Sequence, residues 1–229
     1  MKKYFYNFYI ILKNINNYGL FTIIKASILE LFYLMKFRDF KSYIYDESFT
    51  SSYDQTKVDK KYNTQHTPTP YFFLTIGSKF LDQDKIKDFI LIDLGCGYGR
   101  VGDFFSNKYN CMFYGFEINK KFIDHLKTKN NDLVNNKYFH VDLKDKIKRE
   151  EIFKEIIKLN KKIIIFISDP FDILTIIEIL EYFKKIDHII LGVNVNQLDK
   201  LYINYKQQYI KTFNKGQRHI VLLKPINNE

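Results

Sequence analysis

Leu91-Ile92-Asp93-Leu94-Gly95-Cys96-Gly97-Tyr98-Gly99-Arg100 decides how this chain is read. Phe89 to Leu94 is an apolar run of strand length, and it ends on glycine. The chain has nine glycines, and four of them, Gly95, Gly97, Gly99 and Gly102, fall within eight residues directly after that run. Glycines there let backbone approach a ligand closely, while the first turn of a following helix offers unpaired N–H groups. The stretch therefore predicts a strand, a nucleotide-type binding loop and a helix opening at Arg100. Gly97-x-Gly99-x-x-Gly102 also matches the dinucleotide fingerprint, and register separates the two readings. The strand ends at Leu94, so the first loop glycine is Gly95 and Asp93 stands two residues before it. A carboxylate at that place repels a pyrophosphate and suits an ammonium group.

Outward from this loop the chain alternates strand and helix. Strand-like runs follow at Met112–Ile118, Tyr138–Val141, Ile163–Ser168, His188–Val195 and Ile220–Lys224, several of them continuous apolar stretches typical of strands covered on both faces. Helical patterns fill the gaps at Arg100–Asn107, Lys120–Asn130, Lys146–Leu159, Leu174–Lys185 and Leu198–Tyr205, with a short helix over Tyr71–Phe80 started by Pro70. Tyr209–Phe213, a turn at Asn214–Gly216 and Ile220–Lys224 read as a hairpin adding an antiparallel strand. The expectation is a doubly wound α/β fold, with ligands at the carboxyl ends of its strands. Residues 1–60 form an N-terminal aromatic helical extension and linker, and 61–229 the main domain. Within the extension, Leu20–Met35 is a helix apolar over most of its surface, interrupted by Thr22, Lys25, Ser27 and Glu30. Such a helix must be covered by the domain's own core, a partner or a bilayer interface.

The loop and its surroundings resemble the class I S-adenosylmethionine-dependent methyltransferases, and the resemblance covers roughly residues 60–225. Leu91–Arg100 is similar to the family's first motif. Tyr114-Gly115-Phe116-Glu117-Ile118 is similar to its second strand ending in an acid, with Glu117 22 residues after Gly95. Val141-Asp142-Leu143 resembles the adenine-binding turn, and Ile167-Ser168-Asp169-Pro170-Phe171 the motif at the end of the fourth strand. Gln65-His66-Thr67-Pro68-Thr69-Pro70-Tyr71 resembles a Pro-Thr-Pro segment that closes the cofactor pocket in some bacterial members and in certain lysine methyltransferases. The resemblance implies a mostly parallel seven-stranded Rossmann-like sheet and S-adenosyl-L-methionine as cofactor. It places Asp93, Gly95, Cys96, Gly97, Gly99, Glu117, Asp142 and Thr69 at the cofactor, with Glu117 on the ribose hydroxyls and Asp142 on the adenine amine. It sets Asp169, Pro170 and Phe171 beside the methyl acceptor. The second proline of the Asp/Asn-Pro-Pro-aromatic pattern is absent, so the triplet does not single out a nucleobase amine. His66 is the histidine placed near the pocket; His125, His140, His188 and His219 read as structural or exposed. Arg100 suits either the cofactor carboxylate or an interhelical ion pair.

Composition narrows the class. With 229 residues, 46% apolar, 17% aromatic and 27% charged, the chain forms a core and is neither disordered nor a disulfide scaffold. The net charge of +10 is spread over lysines in every segment, which favours a diffuse solvated surface over a dedicated nucleic-acid groove. Cys96 and Cys111 have no metal-ligand spacing and read as buried free thiols in a reducing cytoplasm. The uncharged run Tyr4–Leu12 is too short for a span, and no cleavage site follows it. A cytoplasmic enzyme is expected, with residues 1–45 as a possible contact to a membrane or protein. The acceptor reads as an amine or hydroxyl on a protein, glycan or small molecule. A nucleic-acid methyltransferase is the alternative, ahead of an NAD-dependent oxidoreductase or a non-catalytic cofactor binder.

Overall fold

Strands that read as unbroken apolar runs do so because both of their faces are covered. In a computed structural model, β1 (Ile90–Leu94), β4 (Ile163–Ile167) and β5 (His188–Val193) are buried at every position. With β2 (Met112–Glu117), β3 (Asn136–His140), β6 (Tyr205–Phe213) and β7 (Arg218–Pro225) they form one seven-stranded sheet, ordered β3-β2-β1-β4-β5-β7-β6. The structure describes residues 19–38, 68–129, 135–168, 173–195, 197–213 and 218–226. The first five strands of that order run parallel, and β7 is antiparallel to both β5 and β6. The strand order reverses between β1 and β4, which opens a crevice at the carboxyl ends of the strands where the Gly95–Gly99 loop lies.

Alternation along each strand sends neighbouring side chains to opposite faces. Leu91, Phe113 and Leu191 pack under α1 (Leu20–Phe37), α2 (Tyr71–Ser78), α3 (Arg100–Tyr109) and α4 (Lys120–Lys129), with Tyr71, Phe104, Phe105 and Leu126 in that core. Ile92, Phe116 and Ile165 pack under α5 (Lys146–Lys158) and α6 (Ile173–Phe183), with Phe153, Ile176 and Phe183. Helix α1 belongs to the first core. Its Tyr33 stacks on Tyr71 at 5.2 Å between ring centroids and meets Phe104 edge-on at 5.3 Å.

Three elements differ from the sequence reading. The helix expected over Leu198–Tyr205 is a single turn, α7 (Leu198–Leu201). Tyr205 instead opens β6 opposite Pro225, and its hydroxyl meets His188 Nε2 at 2.9 Å, so sheet pairing overrides local helical pattern. Strand β6 therefore begins four residues before the expected Tyr209. A register shift between Gln207 and Tyr209 breaks its alternation, which is why the first half did not look like a strand. Strand β3 opens at Asn136 rather than Tyr138, as an edge strand that is half exposed.

Candidate cofactor site

The loop after β1 is held by the strand beside it. Gly95 and Cys96 both donate their backbone N–H to Phe116 O, at 3.0 and 2.8 Å, and Gly99 N–H donates to Cys96 O at 2.8 Å. Gly95, Gly97 and Gly99 have φ of 90°, 49° and 75°, in the left-handed region where a side chain is strained. At Gly99 a Cβ would also lie 2.5 Å from Leu126 Cδ2. Beneath the loop, Asp93 faces Gly115 in the β1–β2 register, and a Cβ on Gly115 would come within 2.9 Å of both Cys96 Sγ and Tyr138 Cδ1. The floor of the site is closely packed.

Glu117 ends β2 and folds back over this loop. Its Oε2 accepts from Gly97 N–H at 3.0 Å and its Oε1 from Asn119 N–H at 2.8 Å. Each carboxylate oxygen has a further lone pair, so Glu117 shapes the loop and can still accept a pair of hydroxyls. Burial pushes the Asp93 carboxyl well above the usual carboxylate range, and the charge of Glu117 pushes it further. Burial also raises Glu117, opposed by the N–H groups of Asn119 and Gly97. A buried and a half-buried acid at one glycine loop favour a cationic, hydroxyl-bearing ligand and oppose a pyrophosphate. Burial, then the charges of Asp93 and Glu117, drive the Cys96 thiol well above its ordinary value, so it stays protonated and lines the site without acting as a nucleophile.

Two of the remaining expected residues, Asp142 and Thr69, are described at the ends of the neighbouring strands. Val141 N–H donates to Glu117 O at 3.0 Å, which sets Asp142 beside the end of β2; Asp142 is exposed and its Oδ1 accepts from Lys144 N–H at 2.9 Å. Thr69 Oγ1 donates to Ser168 Oγ at 3.1 Å and so joins the Pro68–Pro70 segment to the end of β4. Asp169, Pro170, Phe171 and His66 lie outside the described residues, Ser168 being the last described residue after β4. Of the other histidines, His125 lies edge-on to Tyr98, His140 Nε2 meets Ile118 O at 3.0 Å, and buried His188 bridges Ile186 O and Tyr205.

Arg100 takes the ion-pair role. Its Nη1 donates to Glu30 Oε1 at 2.7 Å and to Thr69 O at 3.5 Å, and its guanidinium lies 4.9 Å from the Tyr71 ring centre. Glu30 Oε2 accepts from Tyr71 N–H at 2.7 Å, satisfying a free donor of the first turn of α2. Glu30 escaped the sequence reading as a site-supporting residue. The available signal was its position as the only acid in an apolar helix, because a buried carboxylate requires a partner. Asp103 and Lys129, paired at 2.6 Å beneath the loop helix, also escaped it, since neither has a motif position.

A family model described as "Methyltransferase domain" matches residues 92–196, somewhat less than half of the chain. Among curated protein sequences none matches. The fold is similar to that of the METTL16 methyltransferase domain, at a TM-score of 0.55 and 15% identity over 70% of this chain and 70% of that one. It is also similar to the Escherichia coli protein yhhF, described as a methyltransferase, at a TM-score of 0.50 and 14% identity over 69% of this chain and 87% of that one. At such identities these likenesses speak for the fold alone. Residues 92–196 are thus similar to a methyltransferase domain, and S-adenosylmethionine is the cofactor that the match indicates.

Proposed function

We propose that this chain transfers the methyl group of S-adenosylmethionine to an amine or hydroxyl of a protein, glycan or small molecule. The observation that carries the reading is the pair of acids at the glycine loop, buried Asp93 and back-folded Glu117, on the first two strands of the sheet. S-adenosylmethionine supplies a sulfonium-bound methyl for in-line displacement, so the protein's work is mainly orientation. When the cofactor is bound, Asp93 would face its cationic end, Glu117 would accept from the ribose hydroxyls, and Asp142 would accept from the adenine amine. Gly95, Gly97 and Gly99 keep side chains out of the ligand's path. The Thr69–Ser168 hydrogen bond joins the Pro68–Pro70 segment to the end of β4, and Asp169, Pro170 and Phe171, which follow β4 in the chain, are the residues proposed to bind the acceptor. With the cofactor bound, the acceptor's lone pair would displace the sulfur from the methyl carbon, and the acceptor's proton would leave to solvent.

A nucleic-acid acceptor is the second reading, favoured by the net charge of +10. Retention on heparin separates the two: a steep salt dependence favours nucleic acid, and weak, shallow retention favours a protein, glycan or metabolite acceptor. The chemistry itself is tested with methyl-labelled S-adenosylmethionine against fractionated protein, glycan, RNA and small-molecule pools. The expected result is label transfer to a non-nucleic-acid pool that Asp169→Ala removes. Label confined to RNA would overturn the preferred acceptor, and no transfer to any pool would overturn the enzymatic reading.

A further inference from the structure

Helix α1 is apolar on two sides, and the domain uses one of them. Its inner stripe, with Ala26, Leu29, Tyr33, Leu34 and Phe37, packs into the core, and Glu30 locks the helix to Arg100 and to Tyr71 N–H. The outer stripe comprises Phe21, Ile24, Ile28, Leu31, Phe32 and Met35, spaced as one continuous helical face. Phe21 is 87% exposed, and the least exposed of the six, Ile24, is 46% exposed. Lys25 and Lys36 are the exposed charges of this helix, and its one acid is turned inward to Arg100.

We propose that the outer face of α1 docks this enzyme on an anionic bilayer surface, the six apolar side chains entering the headgroup–acyl boundary while Lys25 and Lys36 engage lipid phosphates. Three observations favour lipid over other occupants. The charge is complementary, since the face carries lysines and no carboxylate on a chain of net charge +10. The area is too small for a second copy: 18 residues give a helix about 27 Å long, so a stripe about 10 Å wide offers about 270 Å² per copy, against about 800 Å² for a standard interface. An interfacial helix needs only such a stripe, lying flat on the surface. Among the described residues no helix is long and apolar enough to cross a membrane, so the mode is peripheral. Because the same helix reaches Arg100 at the start of α3, docking would set the cofactor loop at a fixed height above the lipid.

The test is flotation of the full chain with vesicles of phosphatidylcholine alone and of an equimolar mixture with phosphatidylglycerol. Variants are Phe21→Ser/Ile28→Ser/Leu31→Ser and Lys25→Ser/Lys36→Ser, each checked for unchanged melting temperature and unchanged S-adenosylhomocysteine binding. Sedimentation velocity runs alongside. The proposal expects flotation on the anionic vesicles, reduced about a hundred-fold in partition by the apolar variant and about five-fold per lysine by the other. Flotation that the apolar variant leaves intact overturns it, as does failure to float on anionic vesicles. A dimer that the apolar variant dissolves would assign the face to a second copy instead. None of these outcomes depends on the methyl acceptor, and intact ligand binding by the variants keeps a failure here separate from a failure of the methyltransferase reading.

Discussion

With 2% of its surface exposed and Glu117 close by, Asp93 holds a carboxyl whose charged form is disfavoured. Its folded-state pKa lies above the ordinary value of 3.8, so the destabilisation is absent below that pH, grows as pH rises toward the folded value, and is complete above it. Asp93→Asn should therefore stabilise the ligand-free protein by about 1–2 kcal/mol near neutral pH while weakening the cofactor. The melting-temperature advantage of the variant should vanish toward about pH 4. A variant less stable than the parent at neutral pH would show that the carboxylate is already neutralised in the free protein. Gly99 is constrained oppositely. A methyl group there meets Leu126 at a φ of +75°, so Gly99→Ala should cost about 2 kcal/mol or more in urea unfolding. Sequence showed the residues with a motif position, namely Asp93, the alternating glycines and Glu117. It did not show that Glu117 would be tied to Gly97 N–H, because that bond exists only once β2 lies beside β1.

At the scale of elements, α1 and α3 share one buried ion pair, Glu30 and Arg100 at 2.7 Å, beside the Tyr33–Phe104 ring contact. Breaking a buried pair from one side strands the other charge, so Glu30→Leu or Arg100→Met should each cost about 3–5 kcal/mol. The double variant should recover much of that loss, and denaturant midpoints over the four-protein cycle measure the coupling. Strictly additive losses would mean that the pair contributes nothing as a pair. Across the sheet, His188 joins the start of β5 to β6 through Tyr205. Burial lowers its pKa from 6.5, opposed by hydrogen bonding to Ile186. Its stabilising contribution is complete above about pH 6.5 and is lost as pH falls through the folded value. The parent should lose melting temperature between about pH 7 and pH 5, by more than His188→Gln does over the same window. Equal slopes would remove His188 from the account. These elements also show where sequence reading stops. Parallel strands buried on both faces announce themselves as apolar runs, whereas β6 is an exposed edge strand with a register shift, and nothing local distinguishes its first residues from a helix.

For the whole molecule, a mostly parallel α/β sheet with a C-terminal antiparallel hairpin could be anticipated because glycine loop, acids and turns follow one another along the chain, while the order of the strands comes from the structure. The placement of α1 could not. An apolar helix predicts burial but not against what, and only the structure shows one stripe in the core with Glu30 fixed to the loop helix while the other faces outward. The acceptor is hidden for a chemical reason: methyl transfer from a sulfonium asks little of the protein beyond positioning, so few residue types are diagnostic of it. The central claim is therefore the cofactor loop, and titration calorimetry with S-adenosylhomocysteine, with NADH and Glu117→Ala as controls, tests it most directly. The account predicts micromolar binding of the adenosyl ligand, no heat from NADH, and binding weakened about a hundred-fold or more in Glu117→Ala, which removes both the proposed ribose acceptor and the partner of Gly97 N–H. Binding of NADH alone, or adenosyl binding indifferent to Glu117, would contradict it.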